Sequence, residues 1–261
     1  MNGFSIFAGV TINAKRYFIE IAYKGTNYHG WQFQNNAVSV QETIDKAISI
    51  LLRTPLSIVG SGRTDTGVHA SQQFAHFDFE GDLDEFDFLK KINSLLPRDI
   101  AIYSLKKVLP EAHSRFDAQW RSYVYKITQR KTPFEDELSW HYFRPLDFVK
   151  MNEAAALLVP HYDFECFSKV KTDVKHFGCK IKEAFWEQNG QELLFHITAN
   201  RFLRGMVRAI VGTLTDVGEN KLSKVDFQNI LDSKDRNQAG SSAPAKGLYL
   251  CKVTYPERIF I

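Results

Sequence analysis

Gly60-Ser61-Gly62-Arg63-Thr64-Asp65-Thr66-Gly67-Val68-His69-Ala70 gathers glycines, an arginine, an aspartate and a histidine into one short stretch. Such a composition suits no core element. Glycine tolerates backbone conformations and close approaches that other residues cannot, so glycines on both sides of one carboxylate predict a loop that lets something large reach Asp65. Arg63 lies two residues before Asp65, on the same side if the loop is extended. A cation there favours the charged carboxylate. By residue type alone the stretch also reads as a plain turn, with Arg63 and Asp65 merely tying it together.

On the N-terminal side of this loop, residues 16–23 place Tyr17, Ile19, Ile21 and Tyr23 on one face of a strand. Ser39-Val40-Gln41-Glu42 has the form of a capping box, and Ile44, Ala47, Ile48, Leu51 and Leu52 give the following helix an apolar stripe. A strand over 73–79 comes after the loop, which sets Asp65 between a helix and a strand, where a rigid scaffold can carry function. The remaining pattern predicts helices over 83–96, 146–158, 201–217 and 224–231, and strands over 100–105, 121–128, 193–199 and 247–255. No sustained strand-helix-strand rhythm appears. That favours an α+β architecture over a doubly wound parallel sheet.

With 261 residues and 44% apolar content, the chain has the makings of a soluble globular protein with a sizeable core. The net charge of +3 is mildly basic, so any case for nucleic acid rests on where the cations lie. Cys166, Cys179 and Cys251 are far apart and form neither a CxxC pair nor a Cys/His metal spacing, as expected of reduced thiols in a cytoplasmic protein. No zinc, flavin or phosphate-loop pattern is present, and no apolar stretch has the length to span a bilayer. Residues 1–14 read as a short N-terminal extension.

The order of residues from Gly62 to Ala70 resembles the active-site motif of the TruA family of tRNA pseudouridine synthases. Other blocks agree with it. Tyr23-Lys24-Gly25-Thr26-Asn27-Tyr28-His29-Gly30-Trp31-Gln32-Phe33-Gln34 is similar to the family's N-terminal signature, and Leu95-Leu96-Pro97-Arg98-Asp99-Ile100 to a second segment. Arg115-Phe116-Asp117-Ala118-Gln119-Trp120-Arg121-Ser122-Tyr123-Val124-Tyr125 matches a third, and blocks at 199–208 and 239–250 complete the series. The resemblance implies a pseudouridine synthase fold, two lobes around a largely antiparallel sheet with a central cleft. We expect lobes at 15–110 and 111–261, the first carrying the Asp65 loop.

Asp65 is, by that resemblance, the catalytic residue, acting covalently on the sugar or the base or removing a sugar proton. Tyr123 falls at the position of the tyrosine beside the reacting uracil; by pattern alone it shares a buried strand face with Tyr125 and Ile127. Arg208 coincides with an active-site arginine able to pair with the carboxylate. On a helix opening at 201, Arg201, Arg204 and Arg208 would lie within about 60° of one another. Such a row is usually a solvated face; Arg201 and Arg204 are kept as candidate phosphate contacts, and Arg63 as a substrate contact. Leu248 matches an apolar residue lining the uracil pocket. Lys171, Lys175 and Lys180 belong to a lysine-rich run that is either exposed loop or an RNA-backbone contact. Here the chain departs from many bacterial members: where they carry an Arg-Thr pair before an Ile, this sequence has Gly178-Cys179-Lys180-Ile181. His69 is expected to fix the loop by hydrogen bonding.

The implied activity is cofactor-free isomerisation of uridine to pseudouridine in the anticodon stem-loop, at positions 38, 39 and 40 of tRNA, by a cytoplasmic homodimer. The base must leave its stack for the chemistry to proceed. Two alternatives share much of the sequence pattern: a catalytically silent RNA-binding protein on the same scaffold, and a glycosylase that releases the base.

Overall fold

In the computed structural model, which describes residues 14–169 and 176–261, the chain runs β1 (Lys15–Tyr23), α1 (Val40–Leu52), β2 (Val59–Gly60), β3 (His69–Phe79), α2 (Glu85–Leu95) and β4 (Ile100–Val108). It continues through β5 (Trp120–Thr128), β6 (Trp140–His141), α3 (Phe148–Ala155), β7 (Ile181–Asn189), β8 (Glu192–Ala199), α4 (Met206–Gly218), α5 (Lys224–Ser233) and β9 (Leu248–Thr254). The strands form one sheet in the order β4-β1-β3-β9-β5-β8-β7, with β2 beside β3 and β6 beside β5. Pairing is antiparallel except for the β3–β9 and β5–β6 contacts, so the expected α+β, largely antiparallel architecture holds.

Alternation along the strands sends one set of side chains to the helical face. Tyr17, Ile19 and Ile21 of β1 join Phe77 of β3, Ile44 and Ile48 of α1 and Phe88 and Ile92 of α2 in a first core. Tyr125, Ile127 and Phe195 pack with Ile210 and Leu214 of α4 and Phe227 of α5 in a second. The strand β9 lies between them: Leu248 belongs to the second core, while Leu250 and Val253 belong to the first. Tyr123, opposite Leu250 in the ladder, packs against both. Tyr123 therefore lies where the two cores meet.

Local chemistry explains most element ends. Ser39 Oγ accepts the Glu42 N–H at 3.2 Å, as its capping pattern predicts. The reciprocal bond is replaced by an ion pair from Glu42 to Lys46 at 2.6 Å. At α5, Ser223 and Asp226 complete the reciprocal box. The expected helix over 201–217 is shorter: Gly205, at φ +73°, caps it, and α4 begins at Met206. The expected strand over 73–79 begins earlier, at His69, and β7, an edge strand bearing Lys182, Glu183 and Glu187, was not foreseen. No helix among the described residues is long and apolar enough to cross a membrane.

Candidate active site

The Asp65 loop leaves the sheet at β2 and returns to it at β3, and each turn of its path is fastened by an identifiable bond. Ser61 N–H donates to Phe74 O at 2.7 Å and Ser61 Oγ to Gln73 Oε1 at 2.6 Å, while Gln73 Nε2 donates to Gly62 O at 2.9 Å. Thr64 shares a 2.8 Å hydroxyl bond with Tyr23, and its carbonyl accepts the Trp31 N–H at 3.1 Å. A turn closes from Val68 N–H to Asp65 O at 3.1 Å, with Gly67 at φ +77° supplying the left-handed position it needs. Gly60 has a different purpose, since a Cβ there would run into the Trp31 indole. These two glycines thus serve the loop's own folding. Only Gly62, whose Cβ would meet nothing nearer than Arg121 Nε at 3.9 Å, matches the expected open approach.

His69 anchors the end of the loop. Gly25 N–H donates to its Nδ1 at 3.0 Å, which makes Nε2 the protonated nitrogen and directs it to Lys246 O at 3.1 Å. Burial, the largest cause, lowers its pKa, in keeping with a neutral ring.

Asp65 itself is about a third exposed. Arg204 Nε stands 3.8 Å from Oδ1 and Arg208 Nη1 3.8 Å from Oδ2. Both are at ion-pair distance and beyond hydrogen-bond distance. An anionic carboxylate is thereby charge-balanced, yet among the described residues no donor occupies its lone pairs. Arg208 is aimed by a clasp: its Nε donates to Ala243 O at 2.7 Å, and its own carbonyl accepts the Ala243 N–H at 2.9 Å. The 239–247 segment is held in turn by Thr213 Oγ1, which accepts the Gly240 N–H at 2.9 Å, and by Tyr125, whose hydroxyl donates to Pro244 O at 2.8 Å. Small residues fill this segment because it lies flat on α4; a Cβ on Gly212 would strike the Ser241 carbonyl.

Near Asp65, the Tyr123 ring meets Phe202 edge-on at 5.0 Å between centroids. Burial pushes its phenol up to about 12; Arg121 pulls against that rise and Asp65 adds to it. Near neutral pH it is a protonated hydroxyl with an aromatic face. Among the described residues no group of His, Cys, Asp and Glu is arranged to hold a metal ion.

A family model described as tRNA pseudouridine synthase matches residues 20–117 and 154–256, spans that contain Asp65, Arg204 and Arg208. The chain belongs to the tRNA pseudouridine synthase family. Among its relatives, the tRNA pseudouridine synthase A of Porphyromonas gingivalis is 53% identical over 251 residues, covering 94% of this chain and 99% of that one. Those of Parabacteroides distasonis and Bacteroides fragilis are each 51% identical, covering 94% and 95% of this chain and 98% and 100% of their own.

Set against this family's motifs, the structure gathers some of the expected site residues and separates others. Asp65, Tyr123, Arg204 and Arg208 come together. Arg63 is exposed and makes no ion pair with Asp65; the neighbouring cations come from the far side of the cleft, because the loop turns Arg63 outward. Arg201 does not share a helical row with Arg204 and Arg208, since the chain is not helical before Met206; its Nη1 lies 2.9 Å from His176 Nε2. Leu248 is buried in the second core at the head of β9. Lys180 is exposed just before β7, and Lys171 and Lys175 lie outside the described residues.

One residue of the site was missed by sequence reasoning. Arg121, at the start of β5, donates to four carbonyls: Asn200 at 2.9 Å, Ser61 at 2.9 Å, Arg115 at 2.8 Å and Ala118 at 3.3 Å. Burial lowers its pKa, and no carboxylate among the described residues pairs with it. It ties the root of the Asp65 loop to segments that come later in the chain.

Proposed function

We propose that this chain isomerises uridine to pseudouridine in tRNA, acting on the anticodon stem-loop at positions 38 to 40, as a cytoplasmic homodimer. The carrying observation is the carboxylate of Asp65 held between two guanidiniums with no hydrogen-bond donor among the described residues, close enough to Tyr123 to act on its phenol. The reaction breaks the bond from N1 of uracil to C1′ of the ribose, turns the base and joins C5 to C1′. The proton leaving C5 is matched by one gained at N1, so atoms and electrons balance. A nucleophile or base for this reaction must have free lone pairs, which Asp65 has. Arg208 and Arg204 would stabilise negative charge there, and Tyr123 would offer its face to the turned base and its hydroxyl to a proton.

The test is incubation of unmodified tRNA with the purified protein, followed by mapping of pseudouridine through its carbodiimide adduct. Asp65→Asn preserves volume and removes the reactive carboxylate, so modification should fall below detection while tRNA binding persists. Asp65→Asn protein that modifies tRNA at a rate near that of the unchanged chain would overturn the assignment. Release of free uracil would mark a glycosylase, and binding without either product a silent RNA-binding protein.

A further inference from the structure

Phe116 is 75% exposed, and a lone exposed apolar ring needs no explanation. The way this one is held does. Its ring rests on the imidazole of His113, 4.3 Å between centroids and 38° between planes, and the Arg115 guanidinium carbon stands 5.8 Å from its centre. The turn beneath is locked at both ends: His113 N–H donates to Asp117 Oδ2 at 2.7 Å, and Asp117 N–H to His113 O at 3.0 Å. Within it, Ser114 is buried, with its hydroxyl on Val59 O at 2.6 Å and its N–H on His76 Nδ1 at 3.2 Å. A phenyl ring is thus presented to solvent on a rigid mount.

The mount is geared to the reactive loop. Arg121 Nη2 donates both to Arg115 O and to Ser61 O, which confines those two oxygens to within about 6 Å of each other. The residues from Ser61 to Asp65 span at most about 14 Å. The mount of Phe116 and the Asp65 backbone are accordingly tied within a span of about 20 Å, which a short single strand can bridge. Cations flank this line: Arg63, Arg115 and Lys180 are exposed, and Lys182 Nζ lies 5.8 Å from the Trp120 ring centre. An aromatic face among cations is what a single RNA strand recognises.

We propose that Phe116 is a stacking platform for an unpaired RNA base near the uridine held at Asp65, with His113 backing the ring and Arg121 positioning it. The inference rests on the tRNA reading above. Extruding a uridine strips its neighbours of a stacking partner, and an aromatic ring offsets part of that loss.

The test measures tRNA binding in the Asp65→Asn background, where chemistry is silent. Phe116→Ala and Phe116→Leu should each weaken binding about 5- to 150-fold, whereas Phe116→Tyr and Phe116→Trp should hold it within about three-fold. Leucine keeps apolar bulk without a π face, so the contrast separates stacking from surface hydrophobicity, and equal melting temperatures exclude misfolding. The salt slope of Phe116→Leu should match the parent, while Arg115→Ala should flatten it by roughly 0.7 to 0.9 log units. Among anticodon stem-loop RNAs carrying 2-aminopurine at successive loop positions around the target uridine, one should be quenched by the parent and not by Phe116→Leu. Leucine and tyrosine variants that bind equally, in a protein that does form pseudouridine, overturn the platform alone. A protein that neither binds tRNA nor forms pseudouridine removes the reading beneath it.

Discussion

Replacing Arg121 would disturb the site without touching the reacting atoms. The guanidinium directs four hydrogen bonds to carbonyls from three separate places in the chain, and Arg121→Ala strands all four. Bonds to a charged donor contribute about 1.5 to 3 kcal/mol each. Against their sum stands relief from burying an unpaired cation, several kcal/mol, and water will reach some of the abandoned oxygens. We expect a net loss of about 2 to 4 kcal/mol, or about 4 to 16 °C in melting temperature for a chain of this size. Arg121→Lys keeps the charge but offers no planar fork, so it cannot bridge Ser61 and Arg115 together. It should cost about 1 to 2 kcal/mol in stability. Its effect on turnover should be larger, because the root of the Asp65 loop is released. Urea unfolding and single-turnover pseudouridine formation on saturating tRNA would measure the two effects. An Arg121→Lys enzyme with parental stability and parental single-turnover rate would refute the reasoning.

Acid should weaken the fold through His76, whose pKa burial pushes down to about 4, helped by Arg16 and His113 and opposed by Asp78. Between about pH 6.5 and 4 the unfolded chain binds a proton that the folded chain refuses, so stability falls by about 3 kcal/mol as pH drops through that window. His76→Asn, which retains an acceptor for Ser114, should show a shallower dependence in urea titrations at pH 7, 5.5 and 4.5; an unchanged slope would clear His76. Replacing Lys171, Lys175 and Lys180 together with alanine should flatten the salt dependence of tRNA binding by roughly 0.7 to 0.9 log units for each phosphate they neutralise. A parental slope would move the RNA path elsewhere. Because the isomerisation conserves atoms and electrons, protein stripped with EDTA and desalted should keep its rate. Activity regained only on adding a metal ion would contradict this.

The loop around Asp65, the strand faces and most helices were legible because each carries a local signature: periodicity, a cap, a turn glycine. The agreement of Ile19, Ile21 and Phe77 with one core follows from strand alternation alone. Arg204 was picked out on a helical spacing that the chain does not adopt, and yet it faces Asp65, delivered by an irregular segment that Gly205 ends. Arg63 shows the reverse: two residues from Asp65 in sequence, it is exposed and makes no ion pair with it, while Arg204 and Arg208, distant in sequence, do. The strand β7 was missed because an edge strand with a register shift between Ile181 and Glu183 has little alternation to read. Arg121 was hidden for a deeper reason. Its partners are backbone oxygens, which every residue possesses and no sequence pattern marks.

The placement of β9 has a consequence for how the protein comes into being. Its Tyr249 pairs with His69, a partner translated some 180 positions earlier, and through that contact it joins β3 to β5. A nascent chain short of residue 248 lacks this strand-to-strand seam, and the β2–β3 region then meets the later segments through side-chain bonds such as those of Arg121 and Ser114. Such distant pairing is slow to form, because the intervening chain must be closed before the contact rewards it. Arg208 is aimed by Ala243, which is itself made only a few residues before β9, so the arrangement proposed for the reaction is complete only near the end of synthesis.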